Sequence, residues 1–167
     1  MATQDKNAIA LLKEDHEKVR GLLTRLEATT ERAQDTRKEL LAKIAQELQM
    51  HTTIEEEIFY PAYKEAVSKR VDSKLYHEAL EEHHLVDTVL TEIGASDPKS
   101  EKFSAKAKVL MELVEHHAGE EEKEMFPRAK KVMSASELQR LGSEMKERKG
   151  ELQAANEGWL PDRKSVV

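Results

Sequence analysis

The stretch His51-Thr-Thr-Ile-Glu55-Glu-Glu-Ile-Phe-Tyr-Pro61 decides the fold, because the chain states it twice. His117-Ala-Gly-Glu-Glu121-Glu-Lys-Glu-Met-Phe-Pro127 carries His, Glu, Glu, an aromatic residue and Pro at the same offsets. In each copy the His and the first Glu of that set stand four residues apart, which on a helix stacks them on one face. An imidazole above a carboxylate can hold one metal ion or reach two neighbouring ones. The proline ten residues after each His predicts that the helix ends or kinks there, because the residue before proline avoids the α region.

Outward from these copies the chain reads as helices. Ile9, Leu12, Val19, Leu22, Leu23 and Leu26 repeat at helical spacing over about 7–28, and His16 lies in phase with them. A second helix over about 36–60 carries Leu40, Leu41, Ile44, Leu48, His51, Glu55, Ile58 and Phe59 on one face. Burying a carboxylate costs several kcal/mol unless it is paired or metal-bound, so Glu55 demands a partner. After Pro61 a short helical stretch, Ala62 to Lys69, leads to a third helix over about 73–93, whose stripe Leu80, Val86, Val89, Leu90 and Ile93 turns His83 inward and His84 outward. Gly94-Ala-Ser-Asp-Pro98 is a turn. A fourth helix over about 100–126 aligns Leu110, Leu113, Val114, His117, Glu121 and Met125 and leaves His116 aside. A fifth, weaker helix starts at an N-cap of Ser134 or Ser136 and spans about 135–151. Residues 1–155 then form one domain, and 156–167, with Trp159 and Pro161, form a tail of no clear period.

Composition agrees: 167 residues suit one domain, and 38% hydrophobic with 36% charged residues and only six glycines suit an all-α chain. A net charge of -6 without a basic stripe gives no reason to expect nucleic acid. The absence of cysteine excludes disulfides and thiolate ligands. No run of about 18 apolar residues suggests a membrane span, and the N-terminus does not read as a signal peptide, so a cytoplasmic protein is expected.

Halves of the chain superimpose. His16-x-x-Val19-x-x-Leu22-Leu23 matches His83-x-x-Val86-x-x-Val89-Leu90, giving the order His, His-x-x-x-Glu, His, His-x-x-x-Glu. Thirty-three acidic residues and seven histidines make one or two His-x-x-x-acid pairs by chance alone, and His77/Glu81 and His116/Glu120 read as such accidents. Chance does not supply the duplicated order with inward phase and a shared proline. Four histidines and two glutamates favour a first-row metal, and six ligands exceed one tetrahedral zinc. Two ions bridged by Glu55 and Glu121 use them all, with iron the first choice; a slip of one residue in helix phase would hand those roles to Glu56 or Glu122. Tyr60, Phe59, Phe126 and Met125 would wall the site.

The pattern resembles the hemerythrin-like, or HHE cation-binding, domains over about residues 9–130, with His16, His51, Glu55, His83, His117 and Glu121 matching the motif one by one. The resemblance implies an up-down antiparallel four-helix bundle around a non-haem di-iron centre, two iron ions with an oxo or hydroxo bridge. It also implies dioxygen, hydrogen peroxide or nitric oxide as small ligands. Oxygen-carrying members place a second His one turn away on the third helix. Here Ala79 and Asp87 flank His83 at four residues, which counts against simple reversible oxygen carriage. The expected function is a di-iron protein that reacts with dioxygen or peroxide in oxidative-stress or redox handling. It is peroxidase- or catalase-like if a reductant or second peroxide closes the cycle, and a sensor or carrier of oxygen, nitric oxide or iron otherwise. Ferritin-like storage uses Glu-x-x-His, present once at Glu81–His84. A metal-free helical module docking through the Trp159 tail is the remaining alternative.

Overall fold

The computed structural model describes residues 4–67 and 70–158, with side chains over 4–67 and 73–157. The elements are α1 (Ala8–Glu27), α2 (Gln34–Ile54), the π-helical turn π1 (Glu55–Phe59), α3 (Tyr60–Ala66), α4 (Arg70–Gly94), α5 (Glu101–Glu120), the π-helical turn π2 (Glu121–Met125), α6 (Phe126–Val132) and α7 (Ala135–Gly158). α2, π1 and α3 run on as one rod, as do α5, π2 and α6. The result is the expected four-helix bundle with an added C-terminal helix, and no strand occurs among the described residues. None of the described helices is long and apolar enough to cross a membrane.

Local chemistry sets the helix starts. The Asn7 side chain accepts from Ala10 N–H at 2.9 Å, Ser100 from Phe103 N–H at 3.1 Å and Ser134 from Glu137 N–H at 3.1 Å, each satisfying a donor that the first turn leaves open. Ser134, not Ser136, is therefore the cap of α7. That helix extends to Gly158, seven residues beyond the expected end; Trp159 and Pro161 lie outside the described residues.

The prolines do not end their helices. Pro61 and Pro127 sit one residue into α3 and α6, and just before them the hydrogen-bond ladder slips, with Tyr60 N–H donating to Glu55 O and Phe126 N–H to Glu121 O. In a regular ladder the proline ring would strike the carbonyl four residues back and leave it without a donor; the wider π turn relieves both problems.

Two apolar clusters fill the interior. One gathers Val19, Leu23, Leu26, Leu40, Ile44, Leu48, Val86, Ile93, Phe103 and Leu110 toward the α1–α2 and α4–α5 turns. The other gathers Leu12, Ile54, Phe59, Tyr60, Tyr63, Met125 and Phe126 with Leu138, Leu141 and Met145 of α7. Each fully buried Leu or Phe contributes about 1.5–3 kcal/mol, and α7 joins this core rather than lying loosely on it. Between the clusters runs one polar layer: His16 lies between Leu12 and Val19, His51 between Leu48 and Ile54, and His83 between Ala79 and Val86.

Candidate metal centre

The six residues singled out by the duplicated pattern all fall in that layer. His16, His51, His83 and His117 are 3–7% exposed, Glu55 0% and Glu121 2%. The inner nitrogens converge on two carboxylates. Glu55 divides its oxygens: Oε1 is beside His51 Nε2, while Oε2 lies 3.2 Å from His83 Nε2 and 3.9 Å from His117 Nε2. Glu121 Oε1 lies 3.3 Å from His16 Nε2 and 3.0 Å from His117 Nε2. Two groups of donor atoms result, His16, His51, Glu55 and Glu121 in one and Glu55, His83 and His117 in the other, sharing Glu55.

Buried polar atoms nearly always find hydrogen bonds. Here His16 Nε2, His51 Nε2, both oxygens of Glu55 and Glu121 Oε1 have none that is well aligned. Orphaned donors and acceptors pointing at common centres are what a cation site presents, and the nitrogen and oxygen mixture suits a first-row transition metal.

The outer face of each imidazole meets a carboxylate. Asp15 Oδ2 is 3.1 Å from His51 Nδ1, Glu56 Oε1 3.0 Å from His83 Nδ1, Glu82 Oε1 3.5 Å from His117 Nδ1 and Glu122 Oε1 3.5 Å from His16 Nδ1. Such contacts fix a ring's orientation and raise its basicity toward a metal. Glu56 and Glu122 thus buttress the histidines from outside, whereas Glu55 and Glu121 occupy the interior. Two buttresses are themselves anchored: Asp15 by Lys149 of α7 and Glu122 by Arg20 at 2.9 Å.

The sequence carries a signal for these buttresses that the stripe reading passes over. Each is the chain neighbour of an inner residue, as Asp15-His16, Glu82-His83, Glu55-Glu56 and Glu121-Glu122. Adjacent residues on a helix project about 100° apart, so each helix supplies one group to its own layer and one to the back of the next helix's imidazole.

Electrostatics follow this geometry. Burial pulls His51 down, but Glu55 and Asp15 outweigh it and lift the imidazole to about 10. Burial likewise opposes protonation of His117 and His83, and the nearby glutamates reverse it, raising His117 well above the usual range. Glu55 is held well below the ordinary carboxylate range by His51, His117 and His83 against the opposing effect of burial. Without a metal ion, shared protons offset the buried carboxylates; a cation would take their place.

Tyr60 enters the layer rather than only walling it. Its hydroxyl donates to Glu121 Oε2 at 3.1 Å and lies 3.2 Å from His83 Nε2 and 3.4 Å from His117 Nε2, so it is a seventh donor within reach. Phe126 stacks on His16 with ring centres 5.8 Å apart and meets Phe59 edge-on at 5.7 Å. His77 and His84 are exposed, as their phase predicts.

The comparisons with known proteins fit this arrangement. The Hemerythrin HHE cation binding domain profile matches residues 7–129, and the chain belongs to that family. The crystal structure of a hemerythrin HHE cation binding domain-containing protein from Mycobacterium kansasii aligns with a TM-score of 0.78 and 27% identity, over 90% of this chain and 89% of that one. A protein of Nostoc sp. (strain PCC 7120) named DNA nickase is 27% identical over 152 residues, which are 90% of this chain but 41% of the relative. The chain therefore spans less than half of that relative. α7 lies beyond the span of the family profile.

Proposed function

We propose that the chain is a non-haem di-iron protein that reacts with dioxygen or peroxide. His16 and His51 would hold one iron together with Glu55 and Glu121, and His83 and His117 would hold the other with Glu55. The observation that carries this reading is the division of the two Glu55 oxygens between opposing histidine pairs. A di-iron pair, when bound, supplies two one-electron steps, which matches a two-electron reduction of dioxygen or peroxide.

The chain's own residues prepare the surroundings. A cavity of about 20 Å³ lies against the four histidines, walled by Val19, Leu48, Val86, Val114 and Ala118. That is room for a molecule about the size of water, which suits a small ligand such as dioxygen or peroxide. Its walls keep bulk water from the imidazoles, while on the opposite side the Tyr60 hydroxyl holds a proton at Glu121 Oε2. The activity named for the Nostoc relative belongs to a longer protein, and the net charge of -6 here favours no nucleic-acid partner.

The test is metal content and the near-ultraviolet spectrum of the purified protein, before and after hydrogen peroxide. Two irons per chain with oxo-to-iron charge-transfer bands and oxygen evolved from peroxide are expected. Two irons without turnover would turn the reading to a sensor or carrier. No metal above trace after anaerobic ferrous loading would end it.

A further inference from the structure

His116, which the stripe phase marks as a bystander, does not stand alone. It is 65% exposed, and its Nε2 lies 3.2 Å from Glu120 Oε1 one turn on and 3.7 Å from Glu82 Oε2 across the α4–α5 interface. One imidazole nitrogen and two carboxylate oxygens thus come within 4.8 Å of one another. Glu82 Oε2 is buried and makes no aligned hydrogen bond, so its oxygen is aimed at the cluster without being satisfied there. Among the described residues, the ion pairs of both carboxylates are with histidines. The other oxygen of Glu82 lies 3.5 Å from His117 Nδ1, so a single side chain spans the distance from this surface cluster to an inner histidine.

A groove of about 770 Å³ along α1 and α5 opens onto the same place, lined in part by His116 and Glu120. Its described walls carry five glutamates against Arg20 and Lys123, and Arg20 is already engaged by Glu17, Glu115 and Glu122. Carboxylates thus outnumber cations along the groove, and a cleft of net negative charge concentrates cations and speeds their arrival.

We infer that Glu82, His116 and Glu120 form a peripheral site for a divalent first-row metal ion at the end of the acidic groove, from which the ion is passed inward along Glu82 toward His117. One nitrogen and two oxygens leave open positions for water, which suits a site that takes an ion up and releases it. Binding at the cluster stands on its own geometry, whereas the inward transfer rests on the di-iron reading of the interior.

The experiment titrates cobaltous ion into the metal-free full chain and into H116A/E120Q, with bound metal counted at equilibrium and the rate of filling followed by visible absorption. Both substituted side chains are at least a third exposed, and an unchanged circular dichroism spectrum and melting temperature will verify that the fold persists. Wild type is expected to take three equivalents, and the variant two, filling about tenfold more slowly. Equal stoichiometry and equal rates in the two proteins would overturn the inference and leave His116 as an exposed imidazole beside two glutamates. A wild type that takes one equivalent, lost in the variant, would support the peripheral site while defeating the di-iron reading. Two equivalents in both proteins with equal rates would do the reverse.

Discussion

Asp15 links the last helix to the interior: one of its oxygens lies 3.1 Å from His51 Nδ1, and the other takes Lys149 Nζ from α7. Asp15 is 4% exposed, so its charge is shielded by these two partners rather than by water. A helix outside the family profile thereby sets the orientation of the His51 ring at the centre of the bundle through one carboxylate. Asp15→Asn keeps the shape and removes the charge, and metal affinity measured by competition with a chelator is predicted to fall about 10- to 100-fold. Lys149→Met acts in the same direction by a smaller factor. Unchanged affinity with a lowered melting temperature would reduce Asp15 to a docking contact for α7.

Metal uptake is predicted to release protons. In the metal-free chain His51 keeps its proton up to about pH 10, and a metal must displace it. Loading at pH 7 in weak buffer with an indicator dye will show acid release that disappears above about pH 10. The sign for folding follows from the same shift. His51's stabilisation of the metal-free chain is complete below its unfolded value near 6.5 and is lost as pH rises through about 10. Urea midpoints that are higher at pH 10.5 than at pH 6 would contradict this.

Gly142 is required by contact rather than by backbone angle. A Cβ there would collide with Lys6 O and stand 2.8 Å from Ala8 N, backbone atoms just before and at the start of α1. Gly142→Ala must push α7 away from α1 and is predicted to cost about 1–3 kcal/mol in chemical denaturation. The control is Gly150→Ala on the same helix, where nothing lies within 4 Å; it should be neutral or mildly stabilising.

Arg37 ties the two turns at the far end of the bundle. It is 3% exposed, donates to Pro98 O at 2.7 Å, Thr29 O at 3.1 Å and Ser104 Oγ at 2.9 Å, and lies over the Phe103 ring. Arg37→Ala strands those acceptors and is predicted to cost about 2–4 kcal/mol by thermal or urea melting, with metal stoichiometry unchanged because the centre is a full apolar cluster away. A loss of bound metal equal to the loss of stability would refute that separation.

The order His, His-x-x-x-Glu, stated twice at inward phase, was enough to read the bundle and to bring the six residues together, because helical phase is a local property that spacing encodes directly. Arg37, Tyr60 and the Asp15–Lys149 contact were not legible in that way. Each depends on which helix becomes a neighbour, and stripe phase says nothing of what crosses an interface. His116 shows the same limit: its phase is outward, but Glu82 of a different helix gives it company. Spacing predicts that each proline ends or kinks its helix, and the structure shows a milder outcome of the same steric conflict, a ladder that slips by one bond.

That slip fixes chain length as firmly as any side chain does. A π turn accommodates one residue more than the α-helical path would need, so Glu55–Phe59 and Glu121–Met125 each carry a spare residue at the same place in the repeat. Deleting one residue inside either segment would press the ladder back to the regular α form, in which the ring of Pro61 or Pro127 strikes the carbonyl four residues back. Everything beyond would keep its facing, because the π turn already absorbs the spare residue, so Tyr60 and Tyr63, or Phe126 and Ala129, would stay turned to the interior. The spare residue in each copy is therefore room made for a proline ring.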